Sequence, residues 1–337
     1  MRAIVTGGLV GGLLFAAVSC GDNQTTNPMM EQSVSAAASQ SCPPTKGHPA
    51  GVIIGILTVS DPWGVDVRDD GLAYFTQVYS GGVGITTTTK RTITGFIPTG
   101  YIPTGVAFSP DGSTAYVANQ GSNDVSVINV ASSIVTGTVS TGGSSPFSVE
   151  VSPDGSTFYV GNNDNTLIIF DAATLQAVKT VTVGFATNAF VVDPAGRMLY
   201  ASAFVSGTVT EIDMFSNNVM RTFSVGGTPQ GMAINKKGNH LYIANEGGWL
   251  DDVNLITGQN GVPIPLLGGG FGVGVTPDDV HAWIAIPGAG QVQIFDMKKK
   301  KIVGSLSVGG GPRRIAFSKA GKLGAVTNTN GYITFVK

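Results

Sequence analysis

From residue 50 to its end the chain is a succession of short apolar or alternating runs, broken by Gly, Asp, Asn and Pro. One stretch reads the whole pattern. Val106-Ala107-Phe108 is apolar, Ser109-Pro110-Asp111-Gly112 reverses the chain, and Ala115 to Ala118 runs back. This predicts a hairpin, with Gly112 free to take positive φ. Asp124 to Val130 alternates polar and apolar residues and predicts a third strand. Ile134 to Ser140 is rich in Val, Thr and Ile and predicts a fourth. The repeats carry no helical periodicity.

The same unit recurs. Its turn position falls at Gly71, Gly112, Gly155, Gly196, Gly238, Asp279 and Gly321, at intervals of 41 to 43 residues. A second mark keeps the register nine residues earlier, at Pro62, Pro103, Pro146, Thr187, Pro229, Gly270 and Pro312. Seven units of four short strands predict an all-β, seven-bladed β-propeller over residues 50–337. The last unit ends in its third strand, Tyr332 to Val336. The apolar segment Val52 to Val59 is unassigned to any unit and is expected to complete the last blade as its outer strand. Pro263 and Pro265 in unit five mark its fourth strand as an edge.

The front of the chain differs. One Arg, then an apolar stretch from Ala3 to Val18, then small residues before Cys20, read as a signal peptide over residues 1–19. Ala-Val-Ser-Cys also resembles a bacterial lipoprotein signal, with Cys20 as the lipidated residue, although Ala17 stands where that signal usually has Leu. Cleavage by an ordinary signal peptidase is the alternative. Residues 20–49 are rich in Ser, Thr, Gln and Pro and read as a flexible polar tether. The chain is therefore expected to be exported and anchored at the cell envelope, periplasmic or cell-surface, and to act as a monomer. Cys42 is then a lone thiol; without lipidation it has Cys20 as a possible disulfide partner.

Lys and Arg number 19 against 21 Asp and Glu, so no basic excess points to nucleic acid. Charged residues make up 12% of the chain, about half the usual share, as suits a Gly- and Thr-rich envelope β protein. The run Lys298 to Lys301 reads as a solvated turn tip. No metal-ligand spacing is present, and neither a metal nor a cofactor is expected.

Tyr116-Val-Ala-Asn119 and Tyr242-Ile-Ala-Asn245, each following a Pro mark, resemble the YVTN-repeat, YncE-like and surface-layer propellers. The resemblance implies a seven-bladed extracytoplasmic protein. It carries no catalytic residues over to this chain, because the shared motif is a folding motif.

Candidate residues are those that break a column of the repeat. His240 and His281 follow the turns and read as ordinary strand residues; Asp171, Asp213 and Asp296 share a turn-forming position. After the Pro mark stand Trp63, Thr104, Phe147, Asn188, Gln230, Phe271 and Arg313, expected to ring one mouth of the central channel. The next column is Gly64, Gly105, Ser148, Ala189, Gly231 and Gly272, and then Arg314. Two residues further on, Asp66 and Glu150 replace small or apolar residues. Trp249 is expected in a loop of the same face. Arg314 either pairs internally with Asp66 or Glu150 or meets a ligand. Together these residues suggest a binding or interaction module for a protein, peptide, glycan or small acidic ligand. The alternatives are a lactonase- or lyase-type enzyme at the channel mouth and a structural surface protein.

Overall fold

The computed structural model describes residues 51–143, 145–318 and 323–337. The expected signal peptide, Cys20, Cys42 and the tether lie outside them, as does the turn mark Gly321. The described residues form seven antiparallel sheets, one per repeat. Blade two holds Pro103–Phe108, Thr114–Asn119, Asp124–Asn129 and Ile134–Ser140, in that order from hub to rim. Every blade has this order, and the inner strands, which open at the Pro mark in all blades but the sixth, line the axis. The turn column explains itself. Gly71, Gly112, Gly155, Gly196 and Gly238 all have φ between 68° and 86°, and Asp279, with its short polar side chain, takes φ 58°.

Blade six departs from the pattern in its short inner strand, Val273–Val275, and blades five and seven in their outer strands. In blade five the outer strand is broken into Gln259–Asn260 and Ile264–Pro265, as Pro263 and Pro265 require. Blade seven contains Pro312–Phe317, Gly324–Asn328 and Tyr332–Val336, and Ile53–Thr58 lies on its outer side, antiparallel, with Ile53 opposite Val336 and Thr58 opposite Tyr332. Val59, Ile54 and Leu57 pack with Phe335 and Ile333 of blade seven and with Val67 and Phe75 of blade one.

The core is divided among the seven junctions between blades, and the second and third strands supply most of it. Tyr74, Tyr159 and Tyr242 are among the largest fully buried side chains. In blades five and seven the Asn that closes the second strand is a loop staple. Asn245 Oδ1 accepts from the backbone N–H groups of Thr228 and Gly247, and its Nδ2 donates to Gly226 O. Asn328 binds Gly311 N–H, Asn330 N–H and Gly309 O in the same way. The motif that carries the family resemblance thus serves folding.

Candidate functional site: the central channel

The hub is built by a bulge. The inner strands of blades one to five and seven slip register just after the Pro mark, between Pro62 and Val65 in blade one and Pro312 and Ile315 in blade seven. The slip turns the backbone toward the next blade. Second-strand hydroxyls then bridge the blades. Thr76 Oγ1 accepts from Gly64 N–H and donates to Thr104 O; Thr327 Oγ1 accepts from Arg314 N–H and donates to Trp63 O at 2.7 Å. The column of small residues follows from this approach. A Cβ on Gly64 would stand 2.2 Å from Thr104 O, and one on Gly272 2.2 Å from Arg313 O.

The residues after the Pro mark do meet, but they close this end of the channel. Trp63 lies edge-on to Phe147 and Phe271, with ring centroids 6.1 and 5.8 Å apart. Arg313 stacks its guanidinium over Phe271 at 4.4 Å and Trp63 at 5.3 Å. Asn188 Nδ2 donates to Gln230 Oε1 at 2.6 Å, and both side chains are buried. Thr104 Oγ1 donates to Phe147 O. The residues expected at one mouth form a plug there. Three rings and two amides from separate blades fill it, since the bulge aims these side chains at the axis.

Beneath the plug lies a cavity of about 720 Å³. It runs along the inner strands from Thr104, Phe147, Asn188 and Arg314 to the hairpin turns at the other end, where Asp69, Pro110, Pro194 and Lys236 are exposed. Asp66 and Glu150 stand on its wall. Asp66 accepts from Val67 N–H and, across the blade junction, from Phe108 N–H at 2.9 Å; Glu150 accepts from Val151 N–H.

Arg314 sets the chemistry of the inner end. Its Nη2 reaches from blade seven to donate to Asn188 O on blade four at 3.0 Å, and its guanidinium lies 5.4 Å from the Phe271 ring. Six ion pairs join described residues, and none includes Arg314. The internal pairing with Asp66 or Glu150 is thus not formed; both acids hold backbone N–H groups, and Arg314 turns to the amide end of the cavity. Burial, and then the charge of Arg313, push the Arg314 guanidinium down to about 10. Burial also lowers Arg313, against the pull of Glu246.

The structure separates Trp249 from this group. It opens a third strand, Trp249–Asn254, and its Nε1 donates to both oxygens of the buried Asp251 at 3.1 and 3.0 Å. Asn260 and Asn245 donate to the same carboxylate. Asp251 is held up from the usual carboxylate range by burial. Sequence reasoning passes over Asp251, although its column carries Ser126, Thr210 and Gln293 in other blades. The expected turn-formers behave as such: Asp171, Asp213 and Asp296 each accept from two N–H groups of the following turn. His240 Nδ1 shares Asp252 with Lys300 Nζ, at 2.6 and 2.5 Å, away from the channel wall.

The pattern of the YNCE-like beta-propeller matches residues 73–333. The chain belongs to the YNCE-like beta-propeller family. Antigen Lp49 of Leptospira interrogans serogroup Icterohaemorrhagiae serovar copenhageni (strain Fiocruz L1-130) is 27% identical to this YNCE-like propeller over 174 residues. That match covers 47% of this chain and 37% of the antigen. Among solved structures, a chain of Kuenenia stuttgartiensis hydrazine synthase superposes with a TM-score of 0.77 at 18% identity, covering 83% of this chain and 96% of that one. The superposition shows a shared fold.

Proposed function

We propose that this YNCE-like propeller is an exported, lipid-anchored binding module of the cell envelope, and that its ligand occupies the central channel. The observation that carries the reading is the set of three charged side chains on the cavity wall. Asp66, Glu150 and Arg314 stand where other blades have small or apolar residues. Holding charge in a narrow channel costs desolvation energy, and the hub closes in the other blades without it. Concave walls with a few polar groups are the usual makeup of a small-molecule site. The signal-like residues 1–19, Cys20 and the tether of residues 20–49 support export and anchoring.

A blocking substitution tests the channel. Val191 lines the cavity from blade four and is half-buried, so Val191→Trp fills space that a ligand would use. A thermal-shift screen of envelope metabolites and short peptides should yield compounds that raise the Tm of the wild type and not of Val191→Trp. Compounds that stabilise both proteins equally would move the binding site elsewhere.

A further inference from the structure

We infer that the plugged end of the channel is a receptor for one carboxylate group of a small ligand, with Arg314 as its anchor and entry from the hairpin-turn face. This rests on the reading of the channel as the ligand site. Four observations support it. Arg314 is the one large residue in a column of Gly64, Gly105, Ser148, Ala189, Gly231 and Gly272, where a side chain must avoid the next blade's carbonyl. Its side chain crosses from blade seven to Asn188 on blade four, so the guanidinium reaches across the channel.

The third observation is a count of donors. A guanidinium has five N–H groups. One nitrogen of Arg314 donates to a protein acceptor, and the others are absent from the buried, unpartnered atoms among the described residues. Those groups therefore face the cavity. The fourth is charge. No carboxylate pairs with Arg314 among the described residues, and Arg313 adds a second positive charge across Phe271. A planar fork with free donors, backed by an aromatic face, fits a carboxylate through two parallel hydrogen bonds. The contacts among Trp63, Phe147, Phe271 and Arg313 narrow the channel behind Arg314. Entry is then from the end where Asp69, Pro110 and Lys236 are exposed.

The test uses 4-bromobenzoate and its neutral isostere 4-bromobenzamide, by calorimetry and by bromine anomalous scattering from soaked crystals of the wild-type chain. The expected result is benzoate binding at least tenfold tighter than benzamide, with the carboxylate against Arg314. Arg314→Gln keeps a donor for Asn188 O and removes the charge; Arg314→Ala matches the other blades. Both variants should keep the wild-type Tm within a few degrees and lose at least tenfold in benzoate affinity. Equal binding of the two compounds, unchanged affinity in Arg314→Gln, or no benzoate binding up to its solubility would each overturn the anchor. If both compounds sit in the channel and Val191→Trp abolishes both, the channel reading stands without the carboxylate receptor. Binding that Val191→Trp leaves intact removes the channel reading as well.

Discussion

At the scale of single residues, the repeat separates structure from chemistry. Gly112 and Asp279 answer to a positive φ, and Asn245 and Asn328 answer to loop N–H groups, so their columns are explained by folding. Arg314 answers to neither, and its column alone makes it visible in the sequence. Its partner is not visible there. Whether it would reach Asp66, Glu150 or a carbonyl depends on how far the bulge rotates the strand, and the structure gives Asn188 O. A pH prediction follows from its lowered guanidinium, which stays protonated below about 10. Carboxylate binding should be flat between about pH 6 and 8, where the guanidinium is charged and a benzoate-type acid is ionised. It should weaken as pH rises through about 10, where the guanidinium loses its proton. Calorimetry across this range checks both limits; a loss centred near neutral pH would assign the binding to another group. Asp251 makes a second case. Its carboxylate holds the N–H groups of Trp249, Asn260 and Asn245 inside blade five. Asp251→Ala strands those donors and should destabilise the ring by about 3 kcal/mol in urea unfolding, with ligand affinity little changed.

At the scale of elements, strands and turns are legible because each blade repeats the same demands in the same register. The Pro mark, the positive-φ turn and the alternating third strand are local features, so each can be read without knowing its neighbours. The plug is a different kind of feature. Trp63, Phe147, Phe271 and Arg313 lie on four blades, and an alignment of repeats gives their common height but not whether the rings meet across the axis. That is why the sequence puts these residues at one mouth and leaves their contacts across the axis to the structure. The segment Ile53–Thr58 gives the element-scale prediction. It covers the edge of Tyr332–Val336 and adds apolar side chains to the junction of blades seven and one. Deleting residues 51–60 should lower the Tm by more than about 10 °C, because an unpaired edge and an open junction remain. Deleting residues 21–45 should change it by less than about 2 °C, as expected of a solvated tether. Equal tolerance of the two deletions would show that the segment does not hold the ring.

At the scale of the whole molecule, the fold follows from the period of the repeat, and the family match over residues 73–333 agrees with it. Function is less legible, since the repeat encodes a scaffold and the channel's charges are a few exceptions written over it. Anchoring is tested apart from binding. Cys20→Ser should abolish incorporation of labelled fatty acid and leave the protein uncleaved or in the soluble fraction; an unlabelled wild type cut before Cys20 would mean simple secretion. The central claim is that the channel holds the ligand. Its most direct test is a crystal structure of the protein purified from its native source without added compounds. The expected result is an ordered molecule between Arg314 and the hairpin turns, with an acidic group on the guanidinium. An ordered molecule bound on an outer face, with only water beside Arg314, would contradict it.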